Sequence, residues 1–263
     1  MIKRCGEGRE LNYFLKIYGR LPRAGPGSRE ATQQAFEMMT SLPEHPRILD
    51  IGCGPGVQTM DLLSLCRGTV VALDLLPMML ERTRQKAQEA GVLDRVELIE
   101  KDMHQLDFGP DHFDIVWSEG AIYNLGFKHG LEKIKPLVCP GGYVAVSEVV
   151  WLKANPPQSV IEYWQQYPEI DLVQNKLATI SSLGYEICGH FVLPRSAWMT
   201  NYYDPMERLV AMKAKEWMGV PEAETVLREA TNEIAMYRQY ADVFGYAFFV
   251  MRLPDLQCLE AGG

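Results

Sequence analysis

The chain has 263 residues, 47% of them hydrophobic and 23% charged, a composition that argues against disorder and supplies one substantial core, with an elaboration, more readily than two independent folds. Its 34 acidic and 26 basic residues give a formal net charge of -8, which disfavours a phosphate backbone, so no nucleic-acid partner is expected. No stretch reaches the ~18 to 20 apolar residues of a membrane span, and Met1-Ile2-Lys3-Arg4-Cys5 does not lead into an apolar run, so a cytoplasmic protein with no membrane partner is expected.

Residues 9 to 20 place Leu11, Phe14, Leu15 and Tyr18 at helical spacing. The turn-rich stretch from Leu21 to Ser28 follows, and Ser28 is a suitable N-cap for a second helix over 29 to 41. Arg47 to Ile51 reads as a short buried strand running into glycines, with a helix from Val57 to Cys66. The next strand, Thr69 to Leu73, ends on Asp74, and a helix over 77 to 90 closes with Gly91. Further strands are expected at Val96 to Glu100, at Phe113 to Trp117 and, after a helix over about 128 to 138, at Tyr143 to Ser147. Beyond Trp151 the pattern predicts a helix over 157 to 182, a strand over 185 to 193, helices at 204 to 218 and 221 to 241, and a last strand from Gly245 to Arg252. Strands alternating with helices at this spacing imply parallel strands and right-handed crossovers. The expected fold is α/β, a doubly wound, mostly parallel seven-stranded sheet, with an N-terminal helical cap over 1–46. The main domain would run over 47–263, with a helical lid inserted at about 200–243 before the last strand.

In such a sheet ligands bind at the carboxyl ends of the strands, where the crossovers switch sides. The first strand there ends in Asp50-Ile51-Gly52-Cys53-Gly54-Pro55-Gly56. Dinucleotide enzymes use G-x-G-x-x-G at this place, with a helix N-terminus facing a pyrophosphate. Here the third glycine comes one residue early and an acid precedes the first. A carboxylate at Asp50 would repel phosphate and attract an ammonium group. Asp74, 22 residues after Gly52, is placed to accept ribose hydroxyls, and Asp102, with Met103 as an apolar neighbour, to bond an adenine amine. The six cysteines, Cys5, Cys53, Cys66, Cys139, Cys188 and Cys258, include no C-x-x-C pair and no histidine at ligand spacing. They are read as reduced structural thiols, with no metal site.

Ile48 to Gly56, Ala72-Leu73-Asp74, Lys101-Asp102-Met103, Phe113 to Val116 and Pro140-Gly141-Gly142 together resemble the class I S-adenosylmethionine (SAM)-dependent methyltransferases over residues 46 to 150. The segments Arg23 to Ser28, Trp117 to Asn124 and Leu193-Pro194 with Trp198, Tyr202 and Tyr203 are similar to the small-molecule branch near the quinone-biosynthesis methyltransferases. The resemblance implies SAM as cofactor, held by Gly52, Gly54, Asp74, Asp102 and the Ser118 region, with Tyr18 and the Gly25 to Gly27 segment folding over it. Asp50, Cys53, Gly56, Leu75, Met103 and Glu119 complete the expected cofactor set.

Methyl transfer is an in-line displacement, so the protein mainly has to align the nucleophile and exclude water. If the nucleophile carries a proton, Glu119, Tyr123 and Glu148 are the candidate bases. Tyr123, Trp151, Trp198, Tyr202 and Tyr203 are the candidate walls of an acceptor pocket. A small-molecule acceptor is the expected partner, and a homodimer is compatible with the sequence. Two other readings stay open: a SAM- or nucleotide-binding protein that transfers no methyl group, and an NAD-dependent oxidoreductase on the same scaffold.

Overall fold

A computed structural model describes residues 8–255; Cys5 and Cys258 lie outside them. Two helices come first, α1 (Arg9–Tyr18) and α2 (Arg29–Glu37), the second capped by the Ser28 hydroxyl, which accepts from the Ala31 amide at 3.2 Å. There follow β1 (Arg47–Ile51), α3 (Val57–Leu65), β2 (Thr69–Asp74), α4 (Pro77–Glu89), β3 (Val96–Glu100), β4 (Phe113–Glu119), α5 (Phe127–Ile134) and β5 (Val138–Trp151). Then come α6 (Gln158–Trp164), β6 (Asp171–Leu172), α7 (Val173–Ser182), β7 (Glu186–Val192), α8 (Arg195–Trp198), a π turn over Met199–Tyr203, α9 (Asp204–Glu216), α10 (Pro221–Tyr240) and β8 (Phe244–Arg252).

The strand order is β3-β2-β1-β4-β5-β8-β7, with β8 antiparallel to both neighbours and the two-residue β6 pairing with the end of β5. The sheet has eight strands where the pattern predicts seven. The predicted helix over 157–182 is in fact α6, an irregular segment, β6 and α7. Pro168 is the local reason, since it has no amide to donate and its ring disfavours helix in the residue before it. β5 is much longer than Tyr143 to Ser147 because it carries nine consecutive partners on β8.

Apolar side chains fill both faces of the sheet: Ile48, Val70, Ile115 and Phe248 belong to one core cluster, Leu49, Val71, Val116 and Phe249 to the other. This two-sided burial is why β1, β2 and β4 read as continuous apolar runs. The chain runs outward from β1 to β2 and β3 and then crosses back past β1 to β4, so the switch point lies at the carboxyl ends of β1 and β4. Over that end lies a cover with two sources. α1 packs against α9 and α10, and the 19–28 segment is clamped by Arg82, whose guanidinium donates to the carbonyls of Gly19 (2.6 Å) and Leu21 (2.8 Å).

Candidate functional site

The loop after β1 takes its shape from positive backbone dihedrals. Gly52 has φ of 70° and Gly56 of 77°, conformations that favour glycine. A Cβ on Gly52 would meet Ala121 Cβ at 2.6 Å, and one on Gly56 would press on Thr83 at 2.5 Å. The Gly52 and Cys53 amides both donate to the Leu73 carbonyl, at 2.8 and 3.0 Å, which ties the loop to the end of β2. There the Asp74 carboxylate accepts from the Gly54 amide at 2.8 Å and the Leu76 amide at 2.9 Å.

This loop borders a cavity of about 260 Å³ at the switch point. Tyr18, Gly25, Gly52, Cys53, Asp74, Leu75, Asp102, Met103, Glu119 and Tyr123 all face it. Burial raises the Asp74 pKa, opposed by the amides it accepts from. The half-buried Asp102 has its pKa lowered, first by the His104 amide and then by the His104 ring.

Other expected contacts lie elsewhere. Asp50 is fully buried behind the loop, its carboxylate accepting from Thr59 Oγ1 at 2.6 Å and Gln58 Nε2 at 3.5 Å. It therefore organises the loop from beneath and does not face the ligand space as the sequence reading supposes. Burial pushes its pKa up to about 7, with the Glu119 and Asp74 charges adding to the rise. Ser118 is also buried, its hydroxyl donating to the Ile51 carbonyl at 3.0 Å and joining β4 to β1. Gly54 and Gly56 do not face the cavity; they shape the loop. Gly27 supports the cover, with its amide donating to the Ala197 carbonyl (3.2 Å) and its carbonyl accepting from Asn201 (2.9 Å).

Glu119 faces the cavity but is fully committed. It accepts from Arg23 at 2.8 Å, Thr32 Oγ1 at 2.7 Å and Trp117 Nε1 at 3.0 Å. Arg23 also donates to Asp61 at 2.9 Å, and all three charged side chains are nearly buried. Glu119 thus anchors the N-terminal segment to β4, an arrangement that does not suit a base. The sequence analysis names Arg23 only as part of the 23–28 segment and not as a site residue; its place just before Gly25-Pro26-Gly27 is the available signal.

Beside the first cavity is a second of about 110 Å³, and Pro26 and Tyr123 border both. Trp198 and Tyr203 face the second cavity, with Tyr163, Tyr167, Phe244, Tyr246 and Glu233, none of which the sequence reading names. Two expected wall residues are not there. Tyr202 is fully buried behind the wall, its hydroxyl 3.3 Å from Glu233, and the half-buried Trp151 ends β5 away from both cavities. Glu148 lies behind the wall as well. It pairs with Lys176 at 3.2 Å and accepts from Tyr167 at 2.5 Å, so it meets the cavity only through Tyr167, while burial raises its pKa. Among the described residues no group of three or more potential metal ligands occurs, and no helix is long and apolar enough to cross a membrane.

Residues 48–142 match a family model described as a methyltransferase domain. Among curated relatives, a malonyl-[acyl-carrier protein] O-methyltransferase of Halorhodospira halophila is 33% identical over 119 residues, 44% of this chain and 39% of the relative. A sterol 24-C-methyltransferase of Clavispora lusitaniae is 28% identical over 130 residues, 48% of this chain and 35% of the relative. The chain thus spans less than half the length of these relatives. In three dimensions it is similar to a SAM-dependent methyltransferase from Geobacter sulfurreducens solved with S-adenosyl-L-homocysteine, with a TM-score of 0.79, 19% identity and coverage of 91% and 97% of the two chains. Over residues 48–142 the sequence matches the methyltransferase-domain family, and over nearly its whole length the chain has the Rossmann-like methyltransferase fold.

Proposed function

We propose that this chain is a SAM-dependent methyltransferase whose acceptor is a small molecule. The observation that carries the reading is the pair of adjoining cavities. One is bordered by a glycine loop with Asp74 and Asp102 at successive strand ends, the other by aromatic rings, and Tyr123 and Pro26 stand between them. In this reading the Asp74 carboxylate takes the ribose hydroxyls, and Asp102 and Met103 the adenine. The described part of the N-terminal segment, residues 8–46, acts as a cap over the cofactor, and the helices at about 200–243 form the acceptor lid of the main domain that begins at 47.

SAM supplies an electrophilic methyl group when bound. The chain's part is to hold that methyl at the Tyr123 and Pro26 boundary, in line with a nucleophile in the second cavity, and to keep water out. The buried Arg23 ion pairs and the tyrosine wall serve that exclusion. An oxidoreductase reading is not favoured, because the glycine loop departs from the G-x-G-x-x-G spacing of dinucleotide enzymes and residues 48–142 match a methyltransferase-domain model. The finer placement near the quinone-biosynthesis enzymes rests on the 23–28 and 117–124 segments and on Leu193-Pro194 with Trp198, Tyr202 and Tyr203.

The test is incubation with methyl-labelled SAM and a fractionated metabolite extract, read by mass spectrometry. The expected result is one metabolite that gains a labelled methyl group while S-adenosylhomocysteine accumulates. Binding of SAM with no labelled product from any fraction would favour a binding protein without transferase activity.

A further inference from the structure

Glu148 on β5 and Lys176 on α7 form a buried ion pair, with carboxylate and ammonium 3.2 Å apart and side chains 0% and 4% exposed. For stability alone, well-packed apolar residues often serve such a place as well, because desolvating two charges offsets their attraction. The pair is also incompletely served. Glu148 Oε1 accepts from both Tyr167 and Lys176, whereas the buried Oε2 has no hydrogen-bond partner among the described residues. Glu119 differs, since donors serve both of its oxygens. A buried carboxylate oxygen without a donor weakens the ionised form, and burial raises the Glu148 pKa, with the Lys176 charge opposing the rise. Lys176 thus favours the ionised acid at rest, and the missing donor leaves that acid receptive to a proton.

Tyr167 is the route to it. This residue borders the second cavity, and its ring meets that of Tyr123, which borders both cavities, at 5.9 Å. The Tyr167 hydroxyl donates its proton to Glu148 Oε1 at 2.5 Å, so its oxygen has only lone pairs left to offer a ligand. Burial, then the Glu148 charge, raises the Tyr167 pKa. Tyr167 therefore does not store a negative charge; it gives up one proton as it takes another. A hydroxyl nucleophile needs such a path and an amine does not. An amine methylated as its free base keeps its remaining protons, whereas a protonated ether is a very strong acid. Aromatic hydroxyls are acidic enough to lose the proton during attack, and Trp198, Tyr203 and Phe244 line the same cavity with rings that suit a flat acceptor.

Resting on the methyltransferase reading, we propose that the acceptor is a phenol-type hydroxyl compound whose proton passes through the Tyr167 oxygen to Glu148 as the methyl group is transferred. The hydroxyl oxygen attacks the methyl carbon, and the carbon–sulfur bond breaks with its electron pair leaving on sulfur. The acceptor's proton moves to the Tyr167 oxygen, and Tyr167's own proton moves to Glu148 Oε1. Sulfonium and carboxylate are neutralised together, so a separation of opposite charges in a dry site is removed. After the ether and S-adenosylhomocysteine depart, the proton returns from Glu148 through Tyr167 to water entering the cavity.

The experiment uses the whole protein with SAM and either phenol or 4-nitrophenol, in mildly alkaline buffer where 4-nitrophenol is already ionised and phenol is not. Wild type is expected to convert phenol to anisole, read by mass spectrometry. Tyr167→Phe is expected to lower kcat for phenol by about 100-fold, the scale of a general base, and for 4-nitrophenol by no more than about threefold, with S-adenosylhomocysteine affinity unchanged. A merely structural role for Tyr167 would slow both phenols alike. The double variant Glu148→Gln/Lys176→Met is expected to show the same contrast, so the test survives if Tyr167→Phe fails to fold. Equal deficits for the two phenols would overturn the proposal, as would a wild type that binds S-adenosylhomocysteine yet makes no anisole. Failure of the wild type to bind S-adenosylhomocysteine would instead count against the methyltransferase reading on which the proposal rests.

Discussion

Asp50 sits in full burial beneath the glycine loop with a pKa of about 7, so its charge changes in the neutral range. A carboxylate whose folded pKa is raised binds its proton more strongly folded than unfolded. The associated loss of stability grows as pH climbs from the unfolded value toward 7, and is complete above it. A cationic ligand placed over the loop favours the ionised form, so ligand binding drives proton release. SAM affinity is therefore expected to rise several-fold between pH 6 and pH 8, with Asp50→Asn flattening that rise. Calorimetry at the two pH values checks this, and parallel profiles for wild type and variant would show that Asp50 is not coupled to the ligand. The sequence reading places this acid against the ligand because strand-end position is legible in a pattern. Which side of a loop a side chain takes depends on Thr59 and Gln58, whose reach back to it no periodicity announces.

The elements that position the cofactor site were legible because each is a local pattern: β1, its glycine loop, α3, and the acids closing β2 and β3. The elements that build the second cavity were not. α6 and the irregular segment after it carry Tyr163 and Tyr167 to the second cavity, yet they read as part of one long helix whose break at Pro168 was overlooked. Glu233 lies in the middle of α10, where an acid normally marks a solvated face; the packing of α1, α9 and the π turn around α10 buries it, with Tyr18, Tyr202 and Tyr203 as its donors. Arg23 shows how much the cover depends on a single side chain between elements. Arg23→Met would leave the buried Glu119 without its cation and Asp61 with only the exposed Arg29 at 4.0 Å, at a cost of about 3 kcal/mol in stability. It would also loosen the 19–28 segment over the cofactor. Denaturant unfolding measures the first effect and SAM titration the second; a variant as stable as wild type would show that these ion pairs contribute little.

At the scale of the molecule, one sheet presents two adjoining spaces with different origins. The first cavity lies at the carboxyl ends of the parallel strands, and the second is bordered by α6 and the segment after it, by Trp198, Tyr203 and Glu233 from between β7 and β8, and by Phe244 and Tyr246 of β8. This division implies that acceptor specificity can change with the insertion while the cofactor site stays fixed. Everything else depends on the first space holding SAM. The most direct test is a titration of SAM, S-adenosylhomocysteine and NADH into wild type and Asp74→Ala. The prediction is saturable binding of both adenosyl ligands, no NADH binding, and a loss of at least about tenfold in SAM affinity for Asp74→Ala, the scale of a hydrogen bond to a charged group. Tight NADH binding without a SAM response, or unchanged SAM affinity in Asp74→Ala, would contradict it.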